Sequence, residues 1–192
     1  MRFAEPPAIA AWQHHEVRTG FEVAAFTRCD DGYLVHGVTA AAEGSTVWQV
    51  EYDIALDADW ITRRVRVRRW APEGCITVAL DRDGAAGWRV NRRRIPELDD
   101  CLDVDLESSV LTNAFPVRRA CAGTGAHWSA PAAYIHAADL TVARLDQRYT
   151  FLASDDRHRF AYEAPEFDFR CQLDYDAAGL VLHYPGIAVR AR

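Results

Sequence analysis

Apolar and polar residues alternate along most of this chain, with the period of two that is typical of β-strands with one buried face. Residues 46–56 show the pattern most clearly, since every second position is apolar: Trp48, Val50, Tyr52, Ile54 and Leu56. Residues 60–70 follow the same period, with Val65 and Val67 on one face. The opposite face of that segment carries a stripe of arginines: Arg64, Arg66 and Arg68. Both segments are therefore predicted to be strands.

A hairpin is the simplest way to connect these two strands. Residues 57–59, Asp-Ala-Asp, suit the turn between them. Antiparallel pairing would bring Glu51 and Asp53 near Arg64 and Arg66, and opposite charges across a ladder stabilise a sheet by roughly 0.2–1 kcal/mol per pair. We therefore interpret the arginine stripe as part of the sheet, and whether it also meets a partner stays open.

Further alternating segments predict a chain made largely of strands. They cover residues 21–27, 33–39, 75–81, 88–91, 132–145, 147–152, 158–164, 167–175 and 180–184. No linker, low-complexity tract or change of composition divides the chain, so residues 1–192 are predicted to form a single domain. So many strands require a barrel, a roll or a sandwich, because sheet edges must be closed or covered. A large curved sheet of this kind can enclose a cavity.

Helix signals are few. Residues 7–17 favour a turn of helix, and residues 109–121 are the stronger candidate. Pro116 suits a helix only in its first turn, so that helix should start near Asn113 or Ala114.

Composition narrows the possible functions. The net charge of -6 disfavours a general nucleic-acid binder, whose footprint is basic. No apolar run approaches the ~20 residues of a membrane span, so we expect a soluble, cytoplasmic protein. All 22 basic residues are arginines, which suit carboxylate or phosphate contacts. The five cysteines lack Cys-x-x-Cys spacing and the histidines lack metal-ligand spacing, so we expect reduced thiols, no metal and no cofactor.

Residues 98–119 hold the strongest candidate chemistry. Asp103 and Asp105 share one face of a predicted strand, roughly 6.5–7 Å apart by strand rise. This separation is near that of the two carboxylates in inverting glycosidases. An alternating acidic strand that faces solvent or pairs with arginines produces the same pattern, and both interpretations stay open.

A second polar pair lies further along the chain. Gln147 and Tyr149 share a face, and an amide beside a phenol supplies the donors and acceptors that sugar hydroxyls need. The alternative is a solvated Gln147 beside an aromatic residue at the edge of the core.

Several of these segments, taken in order, resemble the bacterial putative glycolipid-binding family, long known as a domain of unknown function. The resemblance covers nearly the whole chain and rests on these pieces: Trp12, Gly20, Glu22, Gly87-Trp88, residues 98–119, residues 147–150, residues 179–181, Tyr184-Pro185 and Arg190. The chain departs from the family pattern at residues 109–111, where a Thr-Pro step is usual, and at Asp100, where a glycine is usual.

The resemblance implies a spiral β-roll: a large antiparallel sheet wrapped around a single central helix, similar in shape to lipoprotein localisation factors. It implies a protein that binds a glycolipid or another amphiphile in a cavity lined by the sheet. The expected polar end comprises Asp103, Asp105, Asn113, Arg118, Arg119, Gln147 and Tyr149. The expected cavity wall uses aromatic residues such as Trp48, Trp60 and Trp88.

Two other functions remain open. One is a hydrolase of a glycosidic or ester bond, with Asp103 and Asp105 as acid and base. The other is a structural or interaction protein without a ligand, in which Asn113 and Arg119 join Asp103 in a satisfied polar network. We favour the binding protein over the enzyme, and sequence leaves the ligand and the oligomeric state undetermined.

Overall fold

A computed structural model describes residues 3–84, 87–120 and 125–191. Most of these residues lie in strands, which form one large antiparallel sheet and one small sheet. Eight strands make the first meander: β1 (Ile9–His14), β2 (Thr19–Cys29), β3 (Gly32–Glu43), β4 (Thr46–Asp57), β5 (Thr62–Ala71), β6 (Gly74–Asp83), β7 (Gly87–Val90) and β8 (Arg93–Arg94). Cys121, the end of the predicted helix segment, lies outside the described residues.

The second half of the chain supplies the other strands of the large sheet. They are β10 (His127–Ser129), β13 (Arg148–Ser154), β14 (His158–Ala164), β15 (Phe169–Tyr175), β16 (Val181–Tyr184) and β17 (Ala188–Arg190). Strand β17 pairs with β1 and joins the two halves into fourteen strands. The edges are β10 and β8, so the sheet curves strongly without closing on itself.

A small sheet and one helix fill the concave side. The small sheet contains β9 (Asp103–Leu106), β11 (Ala132–Ile135) and β12 (Val142–Leu145), with β9 parallel to β11. The helix α1 (Ala114–Arg119) follows a 3₁₀ turn at Leu111–Asn113. Two further 3₁₀ turns lie at Pro96–Leu98 and Pro165–Phe167. The predicted fold class, a large antiparallel sheet around a single helix, is confirmed.

The alternation in β4 and β5 is also confirmed. All five apolar side chains predicted on one face of β4 are buried. The register places Glu51 opposite Arg68 and Asp53 opposite Arg66, one pair further along than predicted. Arg68 lies 3.2 Å from Glu51, whereas Arg66 binds Asp81 of β6 at 3.0 Å.

Two predictions of local structure are wrong. The segment 7–17 contains strand β1 (Ile9–His14) rather than a turn of helix, because Ala10, Trp12 and His14 alternate into the core between β2 and β17. Residues 132–145 form two strands, because the chain reverses through a turn in which Asp139 accepts the Thr141 N–H. The helix begins where predicted, at Ala114.

The helices are short, and none in the described ranges is long and apolar enough to cross a bilayer.

A tight contact between the neighbouring strands β3 and β4 gives the first testable prediction. Gly37 lies opposite Tyr52, and a Cβ added to Gly37 would come 2.0 Å from the Tyr52 ring. Gly37→Ala should displace that ring and lower the free energy of unfolding by about 1–3 kcal/mol, measured by urea denaturation. Gln49→Ala, at an exposed position of β4, should change it by less than about 0.5 kcal/mol. Equal stability of Gly37→Ala and the wild type would contradict the close packing of the Tyr52 ring on Gly37.

Candidate functional site

Strand β9 brings the two predicted carboxylates into the interior. All four of its residues, Asp103–Leu106, are buried: β9 is an edge strand of the small sheet, paired with β11 on one side, and it packs against β5 of the large sheet. Thr62 of β5 ties the two sheets together: its hydroxyl accepts the Val104 N–H at 3.2 Å, and its N–H binds the Leu102 carbonyl at 3.0 Å. Asp103 and Asp105 therefore sit inside the protein and face different partners.

Asp103 forms an ion pair with the helix. Arg119 Nη1 and Nη2 donate to the two oxygens of Asp103 at 2.7 and 2.6 Å. Burial raises the pKa of the Asp103 carboxyl, and the Arg119 guanidinium opposes that shift. This bidentate ion pair holds the C-terminal end of α1 against β9.

Asp105 has neutral partners instead. It accepts hydrogen bonds from the Thr112 hydroxyl, at 2.7 Å, and from the Gln147 amide. The same amide donates to the Tyr162 hydroxyl at 3.1 Å. Burial raises the pKa of the Asp105 carboxyl to about 6, and the hydrogen bonds from Thr112 and Gln147 oppose that shift only in part.

Asn113 occupies the turn into the helix. Its side-chain oxygen accepts the Tyr149 hydroxyl at 3.1 Å, and its carbonyl accepts the Tyr175 hydroxyl at 3.2 Å. Two strands of the large sheet, β13 and β15, therefore hold this residue in place.

Arg118 points away from this cluster, because successive side chains on a helix point in different directions and Arg119 already faces Asp103. Its guanidinium lies 3.8 Å from the Trp60 ring centroid and donates to the carbonyls of Ala4, at 3.1 Å, and Ala178. Burial lowers the pKa of Arg118 to about 10. Arg118 thus ties the N-terminal segment to the turn before β16.

Sequence reasoning assigned no role to Glu22, which is fully buried on β2. Its carboxylate accepts the Tyr52 hydroxyl at 2.6 Å, the Val110 N–H at 2.8 Å, and the Ser109 hydroxyl. His14 Nε2 lies 3.6 Å away. The signal was present in the pattern, because Glu22 is in phase with the inward-facing Ala24 and Phe26.

A cavity of about 500 Å³ opens beside this polar cluster. Its exposed rim includes Glu16, Val17 and Phe167. Its buried wall is formed largely by aromatic and apolar side chains: Leu106, Val110, Tyr134, Leu145, Tyr162, Ala164 and Tyr184. Polar groups reach it from Asp105, Ser109 and Asn113.

The predicted polar end is only partly assembled at this cavity. Asp105 and Asn113 line the cavity. Gln147 donates a hydrogen bond to Asp105, and Tyr149 donates one to Asn113. Asp103 and the paired arginines at 118–119 lie elsewhere, so the geometry does not favour Asp103 and Asp105 as an acid–base pair in one cleft.

The tryptophans expected in the cavity wall also lie elsewhere. Trp48 packs under Arg18 at 5.3 Å, Trp60 packs under Arg118, and the Trp88 indole donates to the Cys101 carbonyl at 2.8 Å. These rings sit in the half of the large sheet formed by β4 to β7, whereas the wall comes from the small sheet and from β14 to β16.

Within the described ranges, no three or more His, Cys, Asp or Glu side chains are grouped so that they could hold a metal ion.

The fold and the cavity define a curved β-roll protein with an internal, partly polar pocket. The chain belongs to the family described as putative glycolipid-binding, whose model matches residues 9–190. It is similar to a crystal structure of a DUF1089 family protein from Pseudomonas aeruginosa, with 29% sequence identity and a TM-score of 0.75. That likeness covers 88% of this chain and 92% of the other. No curated protein matches the sequence.

The buried Asp105 carboxyl predicts a pH-dependent stability difference. Its pKa is higher in the folded protein than in an unfolded chain, so its ionisation destabilises the fold as the pH rises from about 4 to about 6. Asp105→Asn should be more stable than the wild type at pH 8, by about 1–3 kcal/mol, and this gain should shrink at pH 4. Urea denaturation at both pH values measures the difference, and a gain that does not depend on pH would refute the assignment.

The ion pair between Arg119 and Asp103 predicts a strong truncation effect. Arg119→Ala leaves a buried carboxylate without its cation and should lower the free energy of unfolding by about 2–4 kcal/mol. Arg66→Ala removes an exposed ion pair with Asp81 and should cost less than about 1 kcal/mol. Thermal and urea unfolding measure the free energy of unfolding of both variants. An equal decrease in the two would show that burial does not make the Arg119–Asp103 pair stronger than the Arg66–Asp81 pair.

Proposed function

We propose that this protein binds an amphiphilic small molecule, such as a glycolipid, in the cavity between β9 and strands β14 to β16. The observation that carries the proposal is the combination of an aromatic and apolar wall with a few polar groups, which is the usual composition of small-molecule sites. The volume of about 500 Å³ lies within the ordinary range for such sites. Membership of the family supports the same ligand class.

The polar groups divide into two roles in this proposal. Asp105 and Asn113 contact the polar part of the ligand, because both line the cavity. Gln147 and Tyr149 position them through the hydrogen bonds already described. Arg119 acts at a distance, since it anchors the helix to Asp103.

The apolar part of the ligand would lie along the wall that leads to the rim. Leu106, Leu145 and Ala164 are buried there and contribute no polar side-chain atoms. Burial of apolar surface contributes roughly 25 cal/mol per Å² to binding before the costs of association. An alkyl chain therefore gains most of its affinity along this wall, and the polar groups fix its orientation.

Filling the cavity tests the proposal. Ala164 lines it on the inner face of β14, whereas Ala161 lies on the outer face of the same strand. We expect n-octyl-β-D-glucoside, titrated below its critical micelle concentration, to bind the wild type and Ala161→Trp with similar affinity in isothermal calorimetry. Ala164→Trp should reduce that affinity at least about tenfold, because the indole occupies the space of the alkyl chain.

Native mass spectrometry after exposure to a total lipid extract provides the second measurement. The wild type and Ala161→Trp should retain a bound amphiphile that Ala164→Trp lacks. Circular dichroism checks that both variants keep the strand content of the wild type. A wild type that retains no lipid and binds no glucoside, or an Ala164→Trp variant that binds as well as the wild type, would overturn the proposal.

A further inference from the structure

The carboxylate of Asp105 lies on the buried wall of the cavity, where the protein gives it no positive counter-charge. Its two hydrogen-bond donors are neutral groups: the Thr112 hydroxyl, 2.7 Å from Oδ1, and the Gln147 amide, which donates to Oδ2. Within residues 3–84, 87–120 and 125–191, no arginine or histidine nitrogen comes within 4.0 Å of the Asp105 oxygens. Asp105 is therefore a buried acid with hydrogen bonds but without an ion pair.

The arginines of this region are already paired with other carboxylates. Arg119, at the end of α1, binds Asp103 through both of its Nη atoms. Arg18, the arginine among the residues that line the cavity, donates to the Glu107 carbonyl at 3.0 Å, and its guanidinium lies 3.7 Å from the Glu107 carboxylate. Neither guanidinium can move to Asp105 without losing the carboxylate that it already binds.

A ligand of positive charge would compensate the carboxylate of Asp105. A carboxylate that leaves water without a counter-ion raises the free energy of the folded protein. Its two oxygens offer about four acceptor positions, and Thr112 and Gln147 occupy one on each oxygen. A protonated primary amine carries a positive charge and three N–H donors, so it can use a remaining position and neutralise the carboxylate in one contact. A carboxylate or phosphate head group would instead bring a like charge against Asp105.

We propose that the cavity selects amphiphiles whose head group carries a protonated primary amine, as in an amino sugar or a long-chain amine, and that this amine forms an ion pair with Asp105. The proposal rests on the proposed function, since it specifies the head group that the same cavity takes. The alkyl part of the ligand lies along the apolar wall at Leu106, Leu145 and Ala164, as in that function. The same carboxylate excludes anionic amphiphiles such as fatty acids.

Three probes with ten-carbon chains test the charge of the head group: decylammonium, n-decyl-β-D-glucoside and decanoate. Each is titrated at pH 8 below its critical micelle concentration, and isothermal calorimetry measures the affinity. We expect the wild type to bind decylammonium at least about tenfold more tightly than the glucoside, and to bind decanoate more weakly than either.

Two carboxylate variants locate the charge that gives this preference. Asp105→Asn keeps the size and one acceptor oxygen of the side chain, so it should weaken decylammonium at least about tenfold and change the glucoside by less than about threefold. Glu16→Gln removes a carboxylate at the rim of the same cavity, where the side chain is 72% exposed, and it should leave both affinities within about twofold. An equal loss in the two variants would overturn the assignment to Asp105.

The pH dependence of binding gives an independent measurement. Burial raises the pKa of Asp105 to about 6, so the carboxylate is mostly ionised at pH 8 and mostly protonated at pH 5. The wild type should therefore bind decylammonium roughly tenfold more weakly at pH 5 than at pH 8, whereas Asp105→Asn should change by less than about twofold. A wild type whose affinity is the same at both pH values would contradict the ion pair.

The other titratable groups around Asp105 do not produce this difference. Asp103 and Glu107 are bound by arginines, and His136, 3.8 Å from Glu107, is retained in Asp105→Asn. The phenols around Asp105 stay neutral between pH 5 and pH 8, because burial raises the pKa of each: Tyr134, Tyr149, Tyr162, Tyr175 and Tyr184.

The probes also separate this proposal from the proposed function. Equal affinities for decylammonium and the glucoside, or tighter binding of decanoate, would overturn the amine proposal and leave the proposed function standing. Failure of all three probes to bind would overturn both.

Discussion

The buried carboxylate of Glu22 determines where the interior of this roll lies. It sits at a position of β2 where the alternation demands an apolar side chain, and it receives donors from Tyr52, Ser109 and Val110. A buried carboxylate is tolerated only when its oxygens are satisfied, so the segment before the helix must pass directly beneath β2 and β4. The turn at Asn113 and the cavity beside it depend on that placement.

The helix is held by the contacts of its own side chains with the rest of the protein more than by its backbone hydrogen bonds. Six residues are too few for a stable isolated helix, because nucleation is costly and few hydrogen bonds follow. Arg119 anchors one side to β9, and Arg118 connects the other side to the N-terminal segment and the turn before β16. Two adjacent arginines thus attach a short helix to two separate parts of the protein.

Local pattern was sufficient for most of the strands and for the start of the helix. The faces of β4 and β5 follow directly from their alternation, and Pro116 placed the first helical turn correctly. Residues 7–17 were misread because their inward positions mix Ala10 and Trp12 with a polar histidine, and only pairing on both sides makes them a strand.

The site was less predictable because its contacts are non-local. Asp103 meets an arginine sixteen residues away, and Asp105 meets an amide forty-two residues away, so their different environments cannot be read from strand β9 alone. The cavity wall draws on aromatic residues of four strands in two sheets, and their positions relative to one another depend on the complete topology. Sequence could identify Asp105 and Asn113 as candidates, but it could not separate them from Asp103 and Arg118.

The seam between β1 and β17 has a kinetic consequence. Trp12 lies opposite Arg190, packs under its guanidinium at 4.9 Å, and donates its indole N–H to Val181 at 2.7 Å. Trp12, the largest side chain of β1, is therefore buried only after β16 and β17 have formed. Contacts between residues so far apart in the sequence slow folding. During synthesis, the N-terminal meander is complete long before its partner emerges. The cavity cannot form until strand β16 and the loop at 185–187 have been made, because both line it.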